Sequence, residues 1–204
     1  HDTTYKNTND INSVNELFSG TKTNCYQEAA EVDFDGHKVM IMPWINNSNR
    51  EFAFDAMENT KAEVMFGHLE ISGCFMNRGV IVDHGLDVDV FKKFDRVFSG
   101  HFHHRSKNNN VTYLGCPYEL TWADYQDPKG WHVYDTTTRD IEFIRNPNSM
   151  FHKIFYNDAD TNIDEILDLD FSRYRNTYVK IVKQNCDNPY WFDTFLDKIH
   201  ANAP

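Results

Sequence analysis

Gly100-His101-Phe102-His103 is the sharpest chemical signal in this 204-residue chain. A strand-forming run, Asp95-Arg96-Val97-Phe98-Ser99, leads straight into it. On extended backbone, residues i and i+2 point to one face, so the imidazoles of His101 and His103 converge. Ala62-Glu63-Val64-Met65-Phe66 runs in the same way into Gly67-His68. Glycine at each junction lets the chain turn without a Cβ clash. If the two runs are neighbouring parallel strands, His68, His101 and His103 face one pocket at the strands' carboxyl ends, where open α/β sheets place their ligands. Imidazole is a ligand for Mn, Fe and Zn, so the chemistry in view is a metal site. With 10 histidines in the chain, a lone Gly-His means little. The repeated strand-Gly-His unit, with His-x-His on the second copy, carries the signal.

Positioning such residues requires an α/β layered domain, in which short β-rich runs alternate with modest helices. Glu28 to Val32 and His37 to Met42 flank Asp35-Gly36, the pattern of a hairpin. Asn49 to Asn59 reads as a helix, and a second helix between Asp87 and Phe94 would carry the chain from one Gly-His strand to the next as a crossover. Val111 to Leu114, Trp131 to Tyr134 and Ile141 to Ile144 are expected to form a second sheet. Breakers cluster at Asn146-Pro147-Asn148-Ser149, which marks a boundary. Beyond it, strands over Lys153 to Tyr156 and Thr177 to Val182 and helices over Asp160 to Asp168 and Pro189 to Ala201 make a small α+β appendage.

Composition excludes several classes. With 16 Phe, 10 Tyr and 4 Trp the chain is too aromatic for disorder. Its longest apolar stretch, around Val39 to Ile45, is interrupted by Pro43 and falls short of the ~20 residues of a membrane span. The net charge of −11 argues against a broad basic surface for nucleic acid. One island departs from it, where Lys92, Lys93, Arg96, Arg105 and Lys107 stand against Asp95 alone. These five could track a DNA backbone, although a solvated helix face explains Lys92 and Lys93 equally well. Cys25, Cys74, Cys116 and Cys186 stand singly with no C-x-x-C pair, which reads as reduced thiols of a cytoplasmic protein.

Strand-Gly-His followed further along by Gly-His-x-His resembles the last two motifs of the calcineurin-like metallophosphoesterases. Phe98-Ser99-Gly100-His101-Phe102-His103, Tyr113-Leu114-Gly115-Cys116-Pro117 and Pro128-Lys129-Gly130-Trp131 are most similar to the SbcD-type DNA-repair exonuclease subunits, above all those of T-even-like phages. The resemblance spans nearly the whole chain. It implies a layered β-sandwich flanked by helices over residues 1–147, followed by a small α+β capping domain over 148–204. It further implies a dinuclear centre in which His68 and His101 hold one divalent ion and His103 the other, with Mn²⁺ supporting hydrolysis of phosphodiester bonds in DNA during break processing and recombination. Two ions would clamp both oxygens of an in-line displacement and offset phosphate charge, so the acidic chain is less of an objection.

The opening His1-Asp2 resembles the second half of the family's G-N-H-D motif, which would make His1 the acid for the leaving oxygen and Asp2 its orienting partner. The family's D-x-H and G-D motifs and the asparagine before His1 do not appear. This chain by itself is therefore expected to be a truncated nuclease subunit that binds Mn²⁺ weakly and cleaves little. The family implies a homodimer bound to an SMC-like coiled-coil ATPase in the cytoplasm, that of the host if phage-encoded, with no membrane contact. Two alternatives remain open. A phosphatase or small-molecule phosphodiesterase of the same superfamily would share every histidine named, and a non-catalytic scaffold fragment would account for the missing ligands.

Other positions carry weaker signals. His84 lies in the loop between the two Gly-His units, either near substrate phosphate or simply on the surface, and His104 should face away from the pocket. His37, His132, His152 and His200 have no partner spacing. Tyr118, Trp122 and Tyr125 could stack on bases but fit hairpin packing better. Trp191, Phe192, Phe195, Leu196 and Ile199 recur at helical spacing, as a core or interface face does.

Overall fold

A computed structural model of the chain describes residues 4–5 and 8–202. The chain divides into two compact units, His1–Cys116 with Gly130–Ile144, and Pro117–Lys129 with Arg145–Pro204. No helix among the described residues is long and apolar enough to cross a membrane, and all four cysteines are free.

The first unit is α/β and is built on a six-stranded mixed sheet. Its strands run in the order Ala30–Phe34, His37–Met42, Val64–Gly67, Arg96–Ser99, Val111–Tyr113 and Ser106–Asn108. The outer pairs are antiparallel and the three inner pairings parallel. The first hairpin turns on Asp35 and Gly36, both at positive φ (51° and 89°), the conformation that a two-residue turn between twisted strands demands. The Asp33 carboxylate accepts from the Gly36 N–H at 2.6 Å and holds the turn.

Helix Arg50–Asn59 crosses from the second strand to the third and buries Ala53 and Met57. These pack into one core with Met40, Met42, Met65, Val97 and Val111, the alternate residues of neighbouring strands. Lys93 closes the helix's carboxyl end, its Nζ donating to the carbonyls of Met57, Glu58 and Thr60 at 3.1, 2.6 and 2.6 Å. The second crossover lacks the expected helix over Asp87 to Phe94. It makes only a 3₁₀ turn, Val88–Phe91, capped by the Asp87 side chain on the Asp89 N–H. The turn ends on the buried Phe91, and Phe94, beyond it, is buried as well.

The expected second sheet is corrected in one respect. Val111–Tyr113 belongs to the main sheet, parallel to Arg96–Ser99, and only Gly130–Tyr134 and Ile141–Arg145 pair apart from it. This pairing puts Val111 and Tyr113 in the core, both at 0% exposure.

The second unit pairs Phe151–Asn157 with Tyr178–Asn185 in parallel and packs helices Ile163–Asp168 and Pro189–Asn202 around Tyr156, Ile166, Phe171, Tyr174, Phe195 and Ile199. It also takes in residues 117–129, a segment that the sequence reading assigned to the first domain. One contact fastens that segment to the unit and one ionic cluster braces it from within. The buried Glu119 carboxylate accepts from the N–H groups of Met150 and Phe151 at 2.6 and 2.9 Å. Lys129, only 3% exposed, places Nζ 2.7 Å from Asp124 and 2.8 Å from Asp127.

Candidate metal centre

Register brings the site together. Across the three parallel pairings Met42 stands opposite Gly67, Gly67 opposite Ser99, and Ser99 opposite Tyr113. Four strands therefore end level, and the residues that follow them, among them Trp44, His68 and His101, share one edge of the sheet.

The two glycines permit the close approach. A Cβ on Gly67 would lie 3.1 Å from the Met42 carbonyl oxygen and 3.0 Å from Leu69 Cγ, while one on Gly100 would meet His68 Nδ1 at 3.2 Å. The Gly100 N–H donates to the Gly67 carbonyl at 3.1 Å, extending the ladder one step beyond the strands. In consequence the His68 and His101 rings lie edge to face with centroids 5.2 Å apart, and Trp44 packs against both, at 6.2 and 5.2 Å. Nε2 of His68 and Nδ1 of His101 are buried atoms.

The segment after His68 is tied to the sheet by two buried hydroxyls. Ser99 Oγ accepts from the Leu69 N–H at 3.0 Å, and Tyr113 Oη donates to the Leu69 carbonyl at 2.7 Å and accepts from the Ile71 N–H at 3.1 Å. Burial pushes the Tyr113 phenol well above its ordinary value, so it stays a neutral donor. Trp44 is fixed through its carbonyl, which accepts from the side-chain amides of Asn9 and Asn49 at 3.0 and 2.9 Å.

Glu70 joins the site to the following loop. Its Oε1 lies 3.2 Å from His84 Nε2 and 3.9 Å from His101 Nε2. Gly85, at φ +96°, passes so close that a Cβ there would fall 2.5 Å from the Glu70 carbonyl oxygen, and the Leu86 N–H donates to that same oxygen at 2.8 Å. His84 is exposed, and its hydrogen bond to the Asp83 carboxylate, with Glu70 adding to it, holds its imidazole above the ordinary histidine value. A cavity of about 200 Å³ opens here, lined by Trp44, Arg50, His68, Glu70 and Leu86.

The structure thus brings His68 and His101 together. His103 is placed otherwise than an extended backbone would place it, because the strand ends at Ser99 and residues 101–104 run through bends. Phe102 turns into the core and stacks on Tyr113 at 4.5 Å, leaving His103 half-buried beside it. Among the described residues no three His, Cys, Asp or Glu side chains form a group that could hold a metal ion. His1 and Asp2 lie outside the described residues. As donors, two converging imidazoles suit a divalent transition metal but supply only part of a coordination sphere. His104 is half-buried, His37 and His200 are exposed, His132 packs on Phe143, and His152 packs on Tyr174.

Trp44, Glu70, Ser99 and Tyr113 are site residues that the sequence reading missed. Ser99 did leave a trace, as a polar residue directly before Gly100-His101 at the end of an apolar strand.

No family model matches the chain. It is 31% identical over 201 residues to exonuclease subunit 1 of Enterobacteria phage T4, a match that covers 98% of this chain and 57% of that protein. Shorter matches join it to the SbcD subunits of the SbcCD nuclease in two staphylococci. For Staphylococcus saprophyticus the match is 24% over 102 residues (46% of this chain, 27% of that protein), and for Staphylococcus epidermidis 29% over 87 residues (39% and 23%). The chain therefore spans little more than half the length of the phage protein.

Proposed function

We propose that this chain, a relative of the phage and bacterial SbcD-type nuclease subunits, forms the histidine-bearing part of a nuclease domain that hydrolyses phosphodiester bonds in DNA during recombination and repair. The observation that carries this reading is the level ending of parallel strands at Gly67-His68 and Gly100-His101, in a chain similar over 98% of its length to an exonuclease subunit.

In this reading His68 and His101 hold one divalent ion and His103 contributes to a second, with Mn²⁺ as the working metal. When bound, the ions would supply Lewis acidity toward the phosphodiester and a water activated at neutral pH. The protein's own residues do the positioning. Ser99 and Tyr113 fix the backbone that presents His68, Trp44 packs against the imidazole pair, and the Glu70 carboxylate, 3.9 Å from His101 Nε2, would add negative charge beside the ion. His1 protonates the leaving oxygen, with Asp2 orienting it.

The sheet and the Gly130–Tyr134 and Ile141–Arg145 ribbon are read as the two layers of a metallophosphoesterase sandwich, and the second unit as its cap. The subunit names of the relatives favour a complex, proposed here as a homodimer with an SMC-like coiled-coil ATPase in the cytoplasm. The test is cleavage of linear DNA by the full-length protein with Mn²⁺, beside its His101→Ala variant. Cleavage that the variant loses supports the reading. Hydrolysis of bis(p-nitrophenyl) phosphate with DNA left intact would favour a small-molecule phosphodiesterase, and no metal-dependent hydrolysis of either would favour a scaffold.

A further inference from the structure

The basic island at residues 92–107 does not act as one surface. Lys92 pairs with Asp89 at 2.7 Å, Lys93 caps a helix, and Arg96 lies 3.7 Å from Asp95. Arg139, from the turn of the ribbon, also reaches Asp95 and pairs with Glu63. Arg105 and Lys107 are used differently. Arg105 lays its guanidinium over the Phe143 ring, 3.8 Å from the centroid. Lys107 is exposed and stands opposite Thr112 on the edge strand.

These residues wall a cavity of about 480 Å³ between the main sheet and the ribbon. Strand alternation explains the grouping. Lys107 and Thr112 are direct partners, and Arg96 lies two residues before Phe98, the partner of Thr112, so all project from the sheet face opposite the methionine-rich core. His132 and Phe143 come from the ribbon, with ring centroids 5.1 Å apart. Burial, with the Arg105 charge beside it, holds the His132 imidazole below its ordinary value, so near neutral pH it offers hydrogen bonds more than charge. Asp140 is a lining carboxylate on the ribbon side.

We propose that this cavity binds the phosphate group of a small organic phosphate, a nucleoside monophosphate being the class whose sugar and base would add polar contacts with His132 and Asp140 to those of the phosphate. The guanidinium fork matches phosphate oxygens, and stacking on Phe143 fixes its plane before any ligand arrives. The Lys107 ammonium adds a mobile second charge, and the Thr112 hydroxyl a neutral donor. The proposal does not depend on the nuclease reading, because none of these residues belongs to the histidine edge.

The test is calorimetric titration of the intact chain with inorganic phosphate and, separately, with thymidine 5′-monophosphate, both in EDTA so that no divalent metal contributes. One saturable site is expected, tighter for the nucleotide. Arg105→Gln should weaken it about tenfold, as loss of a charge-assisted hydrogen bond does, and Lys107→Gln by roughly half that factor. Lys107 is exposed, so its variant keeps the test valid even if Arg105→Gln fails to fold. A His68→Ala, His101→Ala double variant should bind as the parent does. No saturable binding of either ligand, equal affinity in Lys107→Gln, or loss of binding in the histidine variant instead would overturn the proposal.

Discussion

Replacing Tyr113 by phenylalanine removes a single oxygen from a position with 0% exposure, and that oxygen makes two of the hydrogen bonds that hold the segment after His68. The Leu69 carbonyl keeps a second donor in Ser99 Oγ at 3.3 Å, but the Ile71 N–H loses the oxygen it donates to. A buried donor left unsatisfied costs about 1–3 kcal/mol and an ordinary hydrogen bond about 1 kcal/mol, so the expected loss is about 2–3 kcal/mol. For a chain of this size each kcal/mol shifts the melting midpoint by about 2–4 °C, and Tyr113→Phe should melt roughly 5–10 °C lower. Thermal unfolding followed by near-ultraviolet circular dichroism measures this. The pH dependence supplies a second readout. Because burial raises the folded phenol above its ordinary value of 10.0, the unfolded chain releases that proton first. The contribution is therefore complete below pH 10.0 and is lost as pH rises beyond it, whereas the phenylalanine variant lacks this alkaline loss. A midpoint within a degree of the parent's, with the same alkaline slope, would refute the view that Tyr113 anchors the segment presenting His68.

Further changes test other parts of the architecture. Lys129→Met leaves the carboxylates of Asp124 and Asp127 buried beside an apolar chain and should cost about 3–5 kcal/mol, measurable by urea denaturation. Gly85→Ala combines a φ of +96° with a Cβ 2.5 Å from the Glu70 carbonyl oxygen; a loss of about 1–3 kcal/mol is expected, and proteolysis should cut the 83–86 loop faster. Gly100→Ala would push on His68 Nδ1 from 3.2 Å and should weaken Mn²⁺ binding about tenfold, with a much smaller effect on melting.

Much of the histidine edge was legible because glycine and histidine at the end of a β-rich run allow few structural roles. The hairpin at Asp35-Gly36 was legible for a similar reason, since both turn residues take a positive φ that few residue types accept. Pairing partners were not legible. Val111–Tyr113 reads as a strand, but nothing within it says that it lies beside Arg96–Ser99, because that choice depends on burying Val111 and Tyr113 together with Val97. Ser106-Lys107-Asn108 was missed as a strand altogether, since its residues have low β-propensity and pairing with Val111–Tyr113 decides the matter. Trp44 and Glu70 were invisible as site residues because only the level register of the strands and the close passage of Gly85 bring them there. His103 shows the limit of the period-2 rule, which holds only while the strand continues.

The measurement closest to the central claim is Mn²⁺ titration calorimetry on the full-length protein, with His68→Ala, His101→Ala and His103→Ala beside it. Two bound ions are expected in the parent. His68→Ala and His101→Ala should each weaken one site by more than the roughly 10–100-fold that loss of an outer contact costs, and His103→Ala should weaken the other. Isotherms that coincide with the parent's in all three variants would contradict the assignment and leave the two Gly-His strand ends with a structural role alone.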